Sequence, residues 1–416
     1  MNMTAAIATK GLVKGPARDL VKGWCPGALR PMQSGDGLIV RVRPRVGILS
    51  LDQARTLADL ARRLGNGHID LTRRANLQLR GLRERDLPEL QTELGRLGLI
   101  DADAEVEAIR NIMVAPLSAV GSTVRRIAAD LEITLAADRR LLKLPTKFGL
   151  LVDEESPASL ATERADICLR VVEGRFAVGL DSRDGTRWLG TCTPTAVVEV
   201  VLRGLHVFLD GDPRRRLRDL PDEDQLRVRS ALMPFLSPLP PFEQVGGRAL
   251  GFVQGAVGIA APFGRLEAAC LGRLADLAAA SGAMELRLSP WRALYATVRD
   301  ESAGRSLLAD AEALGLITRA DDPLLRIEAC PGAPDCESSS VDTRGDARRL
   351  ASLAAARGFA GSIHVSGCAK GCAKSTPSDL LLVGSAGCYR ATVGGEAKGT
   401  VDAGTLAALF VETSHG

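Results

Sequence analysis

Cys330 and Cys336 stand in ACPGAPDC, and Cys368 and Cys372 in HVSGCAKGC, so four of the chain's nine cysteines crowd into one short region. The spacing is C-x5-C, 31 intervening residues, then C-x3-C, on stretches rich in glycine and proline. Core packing gives no reason for thiols in such loops, whereas metal or redox chemistry does. Structural zinc sites favour ligand pairs two to four residues apart, which the first pair does not match. Four thiolates on loops of this kind suit a [4Fe–4S] cube, whose sulfurs also accept backbone N–H donors. Zinc and four unrelated reduced thiols are the rival readings. Lys370 and Lys374 would offset the negative charge of a thiolate-bound cluster.

The other cysteines, Cys25, Cys168, Cys192, Cys270 and Cys388, are scattered and read as small core residues. A chain of 416 residues accommodates two to four domains. A net charge of +3 gives no reason to expect a nucleic-acid partner. The opening MNMTAAIATKGLVKG has no continuous apolar run, and no later segment reaches the ~18 apolar residues of a membrane span. The expectation is a cytoplasmic chain with no membrane partner. Only 8 of the 53 basic residues are lysine, and arginine forks suit the carboxylates of an anionic ligand.

The elements that must position these groups occur twice. Leu57-Ala-Asp-Leu-Ala61 recurs as Leu274-Ala-Asp-Leu-Ala278, and the same offset of 217 maps Gly47 onto Gly264, Gly65 onto Gly282 and HIDLT (68–72) onto ELRLS (285–289). Each copy reads as strand, amphipathic helix, glycine turn and strand, with LIVRVR (38–43) as the opening strand of the first. That is an α+β unit of ferredoxin-like type. A second echo, ADICLRVVEGRFAVG (165–179) against SDLLLVGSAGCYRAT (378–392), follows at an offset of 213. The charged 212–225 and the proline-rich 237–247 read as loop. Four units follow: ferredoxin-like halves at 20–100 and 245–320, larger α/β-type units at 101–235 and 321–416. A site between the halves is expected.

The cysteine motifs resemble those of the sulfite/nitrite reductase superfamily, and the duplicated halves resemble that superfamily's architecture over most of the chain. The resemblance implies that Cys330, Cys336, Cys368 and Cys372 carry a [4Fe–4S] cluster, the last bridging to siroheme where siroheme is present. LTRRANLQ (71–78) resembles the T-x-R-x-x-x-Q strand, which implies Arg74 and Gln78 in the cofactor cavity. Arg110-Asn111, LPTKF (144–148) with Lys147, and Pro290-Trp-Arg292 likewise resemble family segments that contact an anionic macrocycle. The reductases read L-P-x-K-F-K, whereas this chain has Gly149 in place of the second lysine. Losing that cation weakens an anion-reducing reading.

GWCPGALRPMQSGDG (23–37), DLTRRANLQLRGL and the KFG variant resemble the precorrin-3B synthase branch of aerobic cobalamin biosynthesis. That resemblance implies a tetrapyrrole substrate, precorrin-3A, which is hydroxylated with O2 and closed to a lactone. Electrons would pass through the cluster from a separate reductase, with NADH as ultimate donor, since no GxGxxG fingerprint follows an expected strand. The alternative is a siroheme-dependent sulfite or nitrite reductase. His68, His206, His364 and His415 are the only histidines, and no pair has helical spacing for a 2-His-1-carboxylate iron site. His364 reads as structural. The oxygen-activating centre stays open, an additional non-haem iron being one candidate.

Overall fold

The computed structural model describes residues 25–212, 214–371, 373 and 377–410. The first unit runs β1 (Met32–Ser34), β2 (Gly37–Val42), β3 (Ile48–Ser50), α1 (Leu51–Leu64), β4 (His68–Leu71), β5 (Leu77–Leu82) and α2 (Leu87–Arg96). The second runs α3 (Ala104–Ile109), β6 (Ile112–Val114), α4 (Thr123–Ala137), β7 (Leu150–Asp153), β8 (Ile167–Val172), β9 (Arg175–Ser182), β10 (Gly185–Cys192), α5 (Val197–Leu209) and α6 (Asp222–Leu232). The third repeats the first as β11 (Gly251–Val253), β12 (Ala256–Ala260), β13 (Arg265–Glu267), α7 (Ala268–Ala280), β14 (Glu285–Leu288), β15 (Ala293–Thr297) and α8 (Glu301–Ala313). The fourth repeats the second as β16 (Ile327–Ala329), α9 (Thr343–Ala356), β17 (Ile363–Ser366), β18 (Leu380–Ser385), β19 (Cys388–Val393) and β20 (Glu396–Val401).

The central sheets do not respect the halves. One has the order β1-β2-β5-β4-β13 and the other β11-β12-β15-β14-β3, so each takes its last strand from the opposite copy. Leu266 pairs with Ile69 and Leu286 with Leu49, both antiparallel. The intervals 20–100 and 245–320 therefore do not close on themselves, and the part of the first before residue 25 lies outside the described residues. The exchange follows from chain order: β3 and β13 each lead straight into a helix, and α1 and α7 bury their apolar faces in one shared core.

Local chemistry sets these helices. Ser50 and Gln53 form a capping box at the start of α1, and Leu57, Leu60 and Ala61 are fully buried. A Cβ on Gly272 would lie 3.6 Å from that of Ala58, so glycine allows α7 to approach α1 closely. The 217 offset is also written in the backbone. Ala75 (φ 52°) and Arg292 (φ 58°) occupy the same left-handed turn position, as do Val46 (φ 47°) and Phe263 (φ 56°). Non-glycine residues rarely adopt that conformation, and a cost of about 1–3 kcal/mol each marks these turns as constrained.

The outer sheets, β10-β9-β8-β7-β6 and β16-β17-β18-β19-β20, share one topology: three parallel strands and then two antiparallel. Each covers its own core with a helix, α4 or α9. The charged stretch read as loop holds the start of α6. Pro221 precedes it, and Asp222, Glu223 and Asp224 fill a first turn whose unpaired N–H groups favour negative charge. The reading as core residues holds for Cys168 and Cys192, while Cys25, Cys270 and Cys388 are only half-buried. Among the described residues no helix is long and apolar enough to cross a membrane.

Leu57→Ala and Leu274→Ala should each destabilise by about 2–5 kcal/mol. Because both side chains sit in one core, chemical denaturation followed by fluorescence and circular dichroism should show one cooperative transition displaced in either variant. Loss of a single phase, with the remainder unmoved, would contradict the shared core.

Candidate functional site

Both cysteine loops leave the carboxyl ends of neighbouring parallel strands, where α/β sheets place their ligands. β16 runs into Cys330 and β17 into Gly367 and Cys368, with Ala329 opposite Val365 in register. The Gly367 N–H donates to Cys330 Sγ at 3.1 Å, and a side chain at 367 would collide with Ser339 Oγ. Thr343 Oγ1 donates to the Cys330 carbonyl and Ser366 Oγ to the Cys368 carbonyl, each at 2.6 Å. Cys330 is buried, and Cys336 and Cys368 are half-buried. Cys372 and Lys374 lie outside the described residues. Among the described residues no group of three His, Cys, Asp or Glu side chains is gathered as a metal site. The donor chemistry nonetheless fits an iron–sulfur cluster: thiols on two adjacent loops, one already accepting a backbone N–H.

The first cysteine loop is braced from both halves. Arg265 on β13 pairs with Asp335, beside Cys336, and with Asp70 on β4 at 2.8 Å. The β1–β2 turn lies against the same loop, since a Cβ on Gly35 would stand 3.1 Å from the Glu337 nitrogen. The CPGAL segment is itself wrapped on a buried carboxylate. Ala28 and Leu29 N–H groups donate to Glu107 at 2.6 and 3.1 Å, and Arg43 reaches the same carboxylate at 2.9 Å. A Cβ on Gly27 would sit 2.5 Å from Glu107 Oε2, which explains glycine there.

Two cavities flank Arg73. The first, of 230 Å³, is lined by Arg41, Gln78, Arg292, Arg344 and Cys330. The second, of 180 Å³, is lined by Arg74, Lys147, Gly149, Glu163 and Arg216. Gln78 enters from β5, opposite Arg41 in register. Arg292 donates to Glu328 Oε2 at 2.7 Å, and Arg73 reaches Glu328 Oε1 at 2.6 Å, so one carboxylate on β16 clamps both guanidinium groups. Arg74 donates to the Lys147 carbonyl at 3.2 Å. Its Nη1, Arg41 Nε, and Arg344 Nε and Nη1 are buried without a hydrogen-bond partner among the described residues. Burial lowers the pKa of Arg74, and it lowers that of Arg344 to about 10 with help from neighbouring Arg265. Buried donors left unpaired cost free energy, which an anionic ligand would return.

The structure places the six expected ligand contacts unequally. Arg74, Gln78, Lys147 and Arg292 line the two cavities. Arg110 does not: its guanidinium is buried on Asp101, at 2.8 and 3.0 Å, with Glu132 at 3.5 Å. Two carboxylates already face this buried cation. Asn111 touches the second cavity, but its Nδ2 donates to carbonyls of Ala108 (2.8 Å) and Thr146 (3.2 Å), so it holds the loop that carries Lys147. His364 is buried in β17, beside Glu328 in register. Sequence reasoning missed Arg41, Arg344 and Glu163. The alternation of LIVRVR could have signalled Arg41, since period two sets it opposite Val40 and Val42. Nothing in the local sequence marks Arg344 or Glu163.

Residues 30–97 match the nitrite/sulfite reductase ferredoxin-like half domain family. Over 404 residues the chain is 33% identical to a precorrin-3B synthase of Sinorhizobium sp, covering 94% of this chain and 87% of that protein. It is 27% identical to a ferredoxin–nitrite reductase of Synechococcus elongatus, covering 86% of this chain and 78% of that one. The solved structure of the Mycobacterium tuberculosis NirA protein superimposes with a TM-score of 0.70 at 20% identity, over 89% of this chain and 79% of that one, which shows a common fold.

Arg110→Ala should behave as a stability variant. Leaving Asp101 and Glu132 buried beside no cation should cost about 3–5 kcal/mol. Thermal denaturation should show the loss; an Arg110→Ala protein with unchanged stability and impaired ligand binding would return Arg110 to the site.

Proposed function

The chain belongs to the precorrin-3B synthase family, within the nitrite/sulfite reductase superfamily, and on that footing we propose that it catalyses the O2-dependent hydroxylation and lactonisation of precorrin-3A. The observation that carries this reading is position 149. A Cβ there would meet only the Asn111 carbonyl, at 3.6 Å, so the fold would admit a side chain. Glycine instead leaves the second cavity with Lys147 but without a second ammonium group to stabilise the charge that develops on a small oxyanion during reduction. What remains across the two cavities is a cationic lining with unpaired guanidinium donors on Arg41, Arg74 and Arg344, suited to a polycarboxylate macrocycle. That lining would also suit siroheme in a siroheme-dependent reductase, the alternative, and glycine at 149 is what favours the first reading.

Under this reading Arg74, Lys147 and Arg292, joined by Arg41 and Arg344, hold the peripheral carboxylates, and Gln78 donates a hydrogen bond to the same ligand. Asn111 and Arg110 act one step back, fixing the loop and strand that carry these groups. Bidentate contacts from several directions fix the macrocycle's orientation, which is the main contribution a binding cavity makes to a regioselective oxidation. Cys330, Cys336, Cys368 and Cys372 would hold a [4Fe–4S] cluster, which when bound supplies one-electron transfer. The electrons would come from a separate reductase, with NADH as ultimate donor.

The reconstituted protein, given precorrin-3A, O2 and a reductant, should yield a product heavier by one oxygen atom, read by mass spectrometry. Cys368→Ala should lose iron and this activity together. No product from a protein with its full iron content, or full activity in Cys368→Ala, would contradict the reading.

A further inference from the structure

We propose that Glu163 is the proton-carrying group of the second cavity, held in place by Trp291 from the opposite half. Among the described residues lining the second cavity, Glu163 is the one acid. It shares that lining with Arg73, Arg74, Lys147, Arg164, Arg216 and Arg218, yet it pairs with none of them. The arginines are committed elsewhere: Arg73 to Glu328 at 2.6 Å, Arg164 to Asp181 at 2.7 Å and Arg216 to Asp166 at 2.6 Å. Arg218 stands 3.7 Å from Asp181, and Arg74 donates to a carbonyl. A carboxylate serving only as counterion would be expected to sit on one of these forks.

Glu163 instead has a neutral donor. Trp291 Nε1 donates to Glu163 Oε1 at 2.7 Å, and the side chain has no other hydrogen bond among the described residues. Burial raises its pKa above the usual glutamate value, opposed by the indole N–H and by the positive charge of Arg73. A carboxyl group without an ion pair, half-buried in a cationic cavity, can hold a proton and give it up, which is the requirement for acid–base work.

The chemical step rests on the reading above. Conversion of precorrin-3A to a product one oxygen heavier consumes O2, two electrons from the reductase and two protons, and releases one water. Glu163 delivers one of those protons toward the oxygen atom that leaves as water. Its carboxylate then takes a proton back from solvent, which its partial exposure permits.

Two readouts test this on the cluster-loaded protein. Infrared titration of carboxyl groups, wild type minus Glu163→Gln, should show a group titrating above the ordinary glutamate value of about 4.3. Trp291→Phe should move that titration higher, since the donor that favours the carboxylate is gone. In turnover, Glu163→Gln should lower kcat by about 100-fold or more with a much smaller change in KM, and remove the alkaline limb of the kcat profile. Glu163→Asp should restore part of both. A group titrating at or below 4.3, or a Glu163→Gln variant that keeps kcat and its alkaline limb, would overturn the assignment. Were wild type inert toward precorrin-3A, the functional reading would fail, while the infrared titration and its response to Trp291→Phe would still decide the role of Glu163.

Discussion

β3 completes the sheet of the second half and β13 completes that of the first, and the remaining architecture is arranged around this reciprocal exchange. Because each exchanged strand leads into a helix, α1 and α7 are brought face to face and bury one common core. The two halves are thereby fixed in orientation, and the surfaces between them become a preorganised cleft. Several of the pairs that shape the cleft cross from one half to the other: Arg265 with Asp70, Arg73 with Glu328, Arg125 with Glu285, and Trp291 with Glu163. Each would lose its geometry if the halves could slide. Buried ion pairs add little net stability over apolar contacts, but removing one partner is costly, which makes them effective at specifying position.

Two sets of buried arginines differ in role. Arg80 on Asp36 and Arg110 on Asp101 are buried with their carboxylates and hold the scaffold. Arg41, Arg74 and Arg344 have buried N–H groups with no acceptor among the described residues, and they border the cavities. The distinction is one of unmet hydrogen-bonding capacity, since a buried donor without an acceptor is destabilising until a ligand supplies one.

Much of this was legible in the sequence. The 217 offset disclosed the duplication because both copies need the same helix register and the same left-handed turn, at Ala75 and Arg292. The cysteine motif disclosed its loops because Gly367 must be glycine for its amide to reach Cys330. The exchange of β3 and β13 was not legible, since hydrophobic periodicity records which face of a strand is buried and not which neighbour it pairs with. The pairing of Arg110 was not legible for a related reason. Its partners, Asp101 and Glu132, lie 9 and 22 residues away, and no local pattern tells a paired arginine from one that awaits a ligand. Glu163 went unnoticed because its significance lies in Trp291, 128 residues along the chain.

Under the proposed function the cleft receives its tetrapyrrole as a substrate that comes and goes, and not as a resident siroheme. The electronic absorption spectrum of the protein purified with its iron intact, from cells able to make siroheme, tests this most directly. The expected spectrum is a broad iron–sulfur shoulder with no siroheme bands, and bands of a bound tetrapyrrole appear only after precorrin-3A is added. Siroheme bands in stoichiometric amount, surviving purification, would contradict it.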